Sequence, residues 1–135
     1  MLPITLIERL QLVPHVPNGN DWRGADCWGI VCLWYRERFG IRLDDRGDIS
    51  YGVGGLQQGF DARTDWTPVS IAGSDDVVVM RAAKGRQVLA AGHVGVHWNG
   101  LVIHSSEDTG CVAVPLASRQ IRHRVTGFFR HRSRS

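Results

Sequence analysis

Cys27 is the residue whose position in the sequence first points to reactive chemistry. It follows Asp26, a favourable N-cap residue, and opens an apolar run, so we predict that it begins a helix. The first turn of a helix presents unpaired N–H groups and a partial positive charge, which favour a thiolate over a thiol. Cys27 is therefore a candidate nucleophile, provided that the rest of the chain brings a base to it.

Two histidines are predicted to lie side by side in a β-hairpin. Asn99-Gly100 is typical of a two-residue turn, and this turn sets the register of the flanking strands. In that register His93 and His104 point to the same face of the hairpin, as does His97. His104 stands opposite Gly95, whose missing side chain leaves room, and His93 is its diagonal neighbour at roughly 7–8 Å. One imidazole can then orient the other, as the base of a Cys/His pair requires.

The elements that must position these residues follow a simple order along the sequence, with the predicted helices first and the predicted strands after them. Periodicity predicts helices over residues 4–12 and 27–39, the second ended by Gly40. Gly29 lies inside the second helix, which suggests the close approach of another backbone. Strands are predicted over 77–80, 88–91, 93–98, 101–105, 111–116 and 125–129. This order predicts an α+β domain with an antiparallel sheet.

Length and charge indicate one globular domain and exclude several classes of partner. We assign residues 1–130 to this domain and 131–135 to a basic, disordered tail. The net charge of +3 is small, and no nucleic-acid motif accompanies the basic end, so no specific nucleic-acid partner is predicted. No apolar run reaches the roughly 18–20 residues of a membrane span, and no secretory signal is visible.

The remaining candidate residues are predicted to be structural. Cys32 and Cys111 are interpreted as reduced packing residues, because no closely spaced cysteine pair is present. No ligand spacing joins Cys27 to the histidines, so neither a metal nor another cofactor is predicted. His97 is interpreted as a peripheral or surface residue. The glycine-rich stretch 44–66 lacks the lysine of a phosphate-binding loop and favours a mobile loop bordering a site.

Three segments together resemble the NlpC family of cell-wall cysteine peptidases. They are Asp26-Cys27-Trp28-Gly29-Ile30-Val31, Gly92-His93-Val94-Gly95-Val96 and Val102-Ile103-His104-Ser105-Ser106. The tryptophan after the cysteine, the stretch RERFGIR over residues 36–42 and the stretch TGFFR over 126–130 are similar to the bacteriophage tail-assembly branch. The resemblance covers most of the chain.

The resemblance implies a papain-like, NlpC-type α+β fold in which the nucleophile helix packs on an antiparallel sheet. It implies Cys27 as nucleophile, His93 as general base and His104 as the orienting third residue. Backbone N–H groups near Cys27 would stabilise the oxyanion. The implied reaction is hydrolysis of amide bonds in peptidoglycan stem peptides, commonly between γ-D-glutamate and a diamino acid.

Substrate recognition is where the sequence departs from the family pattern. Trp28 stands where many cellular members carry a serine that helps to bind the free amino end of the stem peptide. The usual tyrosine before the cysteine is not evident, and Asp75-Asp76 replaces the usual Gly-Asp. We predict Trp22, Trp28 and Asp26 as substrate-binding residues, and the bond cleaved stays open.

The tail-assembly resemblance also implies a location and partners. It implies a protein made in the host cytoplasm without a signal peptide, placed at the virion tail tip beside other tail-tip proteins, and acting at the bacterial cell wall to aid passage of the genome. Two alternatives stay open. One is a non-catalytic structural component of the tail tip, and the other is an amidase or acyltransferase on the same scaffold.

Overall fold

Two helices precede a run of antiparallel strands, in the order that the sequence predicts. The computed structural model describes residues 2–43, 65–84 and 87–134, with the backbone alone for 83–84 and 87–91. The helices are α1 (Pro3–Leu10), α2 (Cys27–Phe39) and α3 (Arg119–Arg122), and Arg132–Arg134 form a 3-10 turn. The strands are β1 (Asn20–Asp21), β2 (Gly24–Ala25), β3 (Trp66–Val69), β4 (Val77–Lys84), β5 (Gln87–Trp98), β6 (Leu101–Ser106), β7 (Gly110–Pro115) and β8 (Val125–His131).

Strands β3 to β8 form one antiparallel sheet, and β1 pairs with β2 separately. The order of strands in the large sheet is β3-β8-β4-β5-β6-β7. Helix α2 packs in one buried cluster with one face of this sheet, through Val77, Val79, Val94, Val96 and Ile103. The opposite face carries a smaller cluster of Val78, Met80, Val102 and Ile121. The predicted α+β architecture, with the nucleophile helix on an antiparallel sheet, is confirmed.

Helix α2 begins and ends at the predicted residues because its caps are encoded locally. The carboxylate of Asp26 accepts hydrogen bonds from the backbone N–H of Gly29 at 3.0 Å and from that of Asn18 at 2.9 Å. Gly40 ends the helix in a left-handed conformation with φ of 67°. A Cβ atom on Gly29 would lie 2.0 Å from the carbonyl oxygen of Gly19. The predicted close approach of a second backbone to Gly29 is thus confirmed.

Several strands differ from their predicted limits because pairing partners extend them. The predicted strands 88–91 and 93–98 are a single strand, β5, which pairs with β4 on both sides of a register shift between Met80 and Ala82. Trp66 was predicted to be part of a loop, but it begins β3, which pairs with β8. The remainder of that loop, residues 44–64, lies outside the described residues.

The last strand, β8, continues to His131, one residue beyond the predicted limit of the domain, and Arg132–Arg134 follow it as a 3-10 turn. The ring of His131 packs against Tyr35 and Trp66, with centroid separations of 5.5 and 4.9 Å. The backbone N–H of Arg132 donates to the carbonyl of Asp65 at 2.7 Å. These contacts join the end of the chain to residues that are distant in the sequence. None of the helices in the described ranges is long and apolar enough to cross a membrane.

Asp75 and Asp76, at the start of β4, tie the sheet to α2 and β8. The buried carboxylate of Asp75 accepts from Trp34 Nε1 at 2.8 Å and pairs with Arg38 at 3.1 Å. Asp75 has φ of 70°, a conformation that glycine adopts readily, at the position where the resemblance expects glycine. The carboxylate of Asp76 accepts from both Nε and a terminal nitrogen of Arg130, at 3.0 and 2.8 Å. Two buried charges are therefore neutralised by arginines.

Candidate active site

An open cavity of about 370 Å³ lies between the start of α2 and strands β5 and β6. Cys27, the first residue of α2, lines it together with His93 of β5. Both residues are nearly buried, with 6% and 8% of their surface exposed. The complete lining is His15, Pro17, Asp26, Cys27, Gly92, His93, Ser105, Ser106 and Glu107. The predicted nucleophile and the predicted base therefore share one cavity.

The third predicted catalytic residue, His104, contacts His93 directly. Nε2 of His93 lies 2.8 Å from Nδ1 of His104, and the two rings are nearly perpendicular, with an interplanar angle of 85°. His104 is not part of the cavity lining. The contact uses Nε2 of His93 and leaves Nδ1 of that ring for another partner, as the predicted orienting role of His104 requires.

The predicted hairpin register is what brings the two histidines together. Trp98 pairs with Leu101, and the pairs continue through Val96 with Ile103. Asn99 and Gly100 have φ of 49° and 79°, as the predicted type of turn requires.

Gly95 provides the space beside His104 that the register predicts. A Cβ atom on Gly95 would lie 2.8 Å from Cγ1 of Val102, 2.9 Å from the carbonyl oxygen of Ile103 and 3.1 Å from Cβ of His104. No side chain larger than hydrogen fits there without displacing its neighbours. The glycine is thus required by the close approach of β6 beside His104.

Burial keeps both imidazoles neutral. The pKa of His93 is lowered to about 3, first by burial and then by the neighbouring His104, Arg124 and His15. The pKa of His104 is lowered to about 4 by burial and by the charge of Arg124. A neutral imidazole can accept a proton, so His93 is in the form that a general base needs.

The hydrogen bond between the two neutral rings leaves two tautomer assignments for the pair. Only one proton lies between Nε2 of His93 and Nδ1 of His104. If Nε2 of His93 carries that proton, Nδ1 of His93 has the lone pair that faces the other way and can accept the proton of Cys27. His104 then carries its own proton on Nε2. This assignment makes the hydrogen-bonded pair consistent with one base and one orienting residue.

The predicted substrate-binding residues are placed in three different environments. Asp26 lines the cavity, but its carboxylate bonds to the backbone of Gly29 and Asn18. Trp28 is 1% exposed and lies in the main core, outside the lining of this cavity. Trp22 donates from Nε1 to Glu37 at 3.3 Å, and it too is outside the lining. Of the three residues, Asp26 alone lines the cavity that contains Cys27.

His97 is buried, and its interpretation as a peripheral or surface residue was wrong. Its Nδ1 lies 2.7 Å from the carbonyl oxygen of Gly73, and its Nε2 accepts from the backbone N–H of Gly100 at 3.1 Å. Nε2 therefore contacts the hairpin turn, and Nδ1 links β5 to the loop that precedes β4. Only 8% of the surface of His97 is exposed, so we interpret it as a packing residue.

The other two cysteines are packing residues, as predicted. Cys111 is 3% exposed, and burial raises the pKa of its thiol to about 12. Cys32 packs partly buried against the main core. No disulfide joins any two of the three cysteines, Cys27, Cys32 and Cys111. Within the described part of the chain, no group of three or more His, Cys, Asp or Glu side chains is placed to hold a metal ion.

His15 and Ser105 are among the residues of the cavity lining that sequence reasoning did not predict as site residues. Nδ1 of His15 lies 3.0 Å from Oγ of Ser105, and Ser105 donates to the carbonyl of Ala25 at 3.2 Å. The two residues are 90 positions apart in sequence, so no local pattern joins them. The only signal was the place of His15 in the loop before the cysteine, between two prolines.

Comparison with known proteins finds the fold but no sequence family. No family model and no curated protein matches the chain. An NlpC/P60 family protein from Bacillus cereus ATCC 10987 superposes with a TM-score of 0.60 at 19% identity, over 88% of this chain and 35% of that one. The NlpC/p60 domain of the peptidoglycan hydrolase SagA gives 0.57 at 17% identity, over 93% of this chain and 92% of that one.

A third similar structure has the same fold. A protein similar to a lipoprotein, of the NLP/P60 family from Staphylococcus aureus subsp. aureus Mu50, gives a TM-score of 0.59 at 20% identity. The match covers 97% of this chain and 42% of that one. The chain thus spans about a third of the Bacillus protein and nearly all of the SagA domain. The predicted papain-like, NlpC-type fold is confirmed.

Proposed function

We propose that this protein is a cysteine peptidase of the NlpC type that hydrolyses amide bonds in peptidoglycan stem peptides. The observation that carries the proposal is the contact of 2.8 Å between His93 and His104. His93 also lines the same cavity as Cys27. A nucleophile, a neutral base and an orienting group are then present together. The substrate class is supported by the shared fold of the SagA domain, which comes from a peptidoglycan hydrolase.

The first step transfers an acyl group to the cysteine. Nδ1 of His93 takes the thiol proton of Cys27 as the sulfur attacks the carbonyl carbon of the scissile amide. The carbonyl electrons move to oxygen, where N–H groups at the start of α2 stabilise the charge. The oxyanion then collapses, the C–N bond breaks, and His93 returns the proton to the departing amine. An acyl-thioester on Cys27 remains.

The second step releases the acid and restores the enzyme. Nδ1 of His93 takes a proton from water, and the hydroxyl attacks the thioester carbonyl. The C–S bond breaks, and the proton returns to the sulfur of Cys27. Through both steps, His104 accepts the Nε2 hydrogen bond and supports the positive charge that forms on His93.

The decisive test is digestion of peptidoglycan by the wild type and by Cys27→Ala, with the soluble products identified by mass spectrometry. We expect wild type to release muropeptides cut at one type of amide bond, and Cys27→Ala to release none while keeping its thermal transition. Cys32→Ala is the matched control, because this cysteine lies on the same helix and outside the cavity lining. Equal product release by Cys27→Ala and wild type would refute the assignment.

The finer parts of the proposal concern the bond and the setting. We propose cleavage between γ-D-glutamate and a diamino acid, at the tail tip of a bacteriophage, in contact with other tail-tip proteins and acting at the cell wall. This setting rests on Trp28 and on the sequence stretches 36–42 and 126–130. The masses of the digestion products identify the bond. Mass spectrometry of purified virions tests the location, which is refuted if the protein is absent from them.

A further inference from the structure

A chain of hydrogen bonds links β6 to the segment just before the nucleophile. Nδ1 of His15 contacts Oγ of Ser105 at 3.0 Å, and Oγ of Ser105 donates to the carbonyl oxygen of Ala25 at 3.2 Å. Ser105 is 1% exposed and directly follows His104. The backbone N–H of Ala25 in turn donates to the carbonyl of Pro14 at 3.0 Å. The loop that carries His15 is therefore fixed from both sides.

The chemistry of this chain selects one form of the His15 ring. A carbonyl oxygen can only accept, so the single hydroxyl proton of Ser105 points to Ala25. Ser105 must then accept from His15, which places a proton on Nδ1 of His15. In the neutral ring the other nitrogen, Nε2, is left as a hydrogen-bond acceptor. Ser105 thus sets which atom of His15 is available to a ligand.

His15 lies where a substrate of Cys27 must pass. It lines the same cavity as Cys27 and His93, and it is half-buried. Among the described residues, Nε2 of His15 has no hydrogen-bond partner. The cavity lining includes the carboxylates of Asp26 and Glu107 and no lysine or arginine. An acceptor nitrogen beside carboxylates is suited to a donor, and in a peptide substrate that donor is an N–H group.

We propose that His15 is a specificity-determining residue that accepts a hydrogen bond from an N–H group of the substrate, and that Ser105 is the residue that positions it. This rests on the proposed peptidase function of the same cavity. The N–H group is either the free amino end of a stem peptide or one of its amides. His15 takes no part in proton transfer at the sulfur, because His93 has that role.

Two substitutions of His15 separate its two nitrogens. His15→Asn places an amide near the position of Nδ1 and removes the distal acceptor, whereas His15→Gln keeps an acceptor oxygen near the position of Nε2. We expect His15→Asn to raise KM roughly tenfold with kcat within about threefold of wild type, and His15→Gln to recover most of the loss. Ser105→Ala should also raise KM, and the double variant His15→Asn/Ser105→Ala should be no worse than His15→Asn.

The substrates are a γ-D-glutamyl–diamino acid stem peptide with a free amino end and its N-acetylated counterpart. A KM effect of His15→Asn on the free peptide alone identifies the amino end as the donor, and an equal effect on both identifies an amide. The proposal is overturned if His15→Asn leaves KM unchanged on both peptides. It is also overturned if kcat falls a hundredfold at constant KM, since His15 would then be a base.

Binding to an inactive enzyme separates this proposal from the proposed function. In the Cys27→Ala background, calorimetric titration with the same two peptides measures affinity without turnover. We expect His15→Asn to weaken binding of at least one peptide about tenfold, while His15→Gln restores it. If neither substitution changes the affinity for the peptides, the role of His15 is refuted but the peptidase proposal is not. No binding of either peptide to Cys27→Ala refutes both.

Discussion

At the scale of single residues, His93 and His104 differ in their position relative to the cavity that contains Cys27. His93 lines the cavity with Cys27, whereas His104 is outside the lining and contacts the His93 ring at Nε2. A base moves a proton in the transition state, and its loss typically costs roughly 10²–10⁴-fold in rate. An orienting residue acts through the base, so its loss costs less.

We therefore expect His93→Ala to lower kcat more than His104→Ala does, the first by roughly 10³-fold. His104→Asn should recover part of the second loss, because its amide oxygen can accept the Nε2 proton of His93 in place of Nδ1. Turnover of a stem peptide measures all three variants. His123→Ala, which changes an exposed histidine outside the cavity lining, is the control. Equal or reversed losses for His93 and His104 would contradict the roles.

At the scale of elements, the close packing of β6 on β5 holds the histidine pair in place. Gly95→Ala would put a methyl group 2.8 Å from Cγ1 of Val102 and 3.1 Å from Cβ of His104. We expect the variant to fold, because the collision is local, but to lose at least tenfold in kcat as His104 moves away from His93. Turnover together with the near-ultraviolet circular dichroism spectrum measures the two effects.

The matched control for this change is Gly127→Ala on β8. A methyl group there would meet Cε2 of Phe129 at 3.5 Å, which is an ordinary contact. Gly127→Ala should therefore keep wild-type turnover and a cooperative transition. If Gly95→Ala also retains full activity, the position of His104 is not set by this strand contact.

Elements with local signals were predictable from the sequence. The limits of α2 follow from Asp26 and Gly40, and the register of the hairpin follows from Asn99-Gly100, so the placement of Cys27 and of the His93 pair could be predicted. These features depend on residues close together in the chain. Backbone capping and turn geometry are short-range effects, and they survive folding unchanged.

Elements that depend on distant partners were not predictable. The contact between His15 and Ser105 joins residues 90 positions apart, and β3 exists because it pairs with the end of the chain at β8. His131 is ordered by packing on Tyr35 and Trp66, which no pattern in the basic C-terminal sequence indicates. The hydrophobic periodicity of a segment indicates only its local structural preference. The contacts of His15, β3 and His131 depend instead on how distant segments are arranged in the folded chain.

At the scale of the whole molecule, the neutral histidine pair links folding to pH. In the unfolded chain a histidine takes up a proton near its ordinary pKa of 6.5, whereas burial holds the pKa of His104 at about 4 and that of His93 at about 3. At a pH below 6.5 and above the lowered pKa values, the unfolded state binds more protons than the folded state. These two histidines therefore lower the free energy of unfolding as the pH drops from 6.5 towards 4.

Replacing His104 by asparagine removes one titrating ring and keeps an acceptor for His93. Each histidine contributes about 1.4 kcal/mol per pH unit in this range, so the difference in unfolding free energy between His104→Asn and wild type should shift by about 2 kcal/mol in favour of the variant between pH 7.5 and pH 5.0. Urea unfolding at the two pH values measures it. The carboxylates are common to both proteins and cancel in this difference. A difference that stays constant between the two pH values would show that His104 is protonated as readily in the folded protein as in the unfolded chain, and the neutral base would then need another origin.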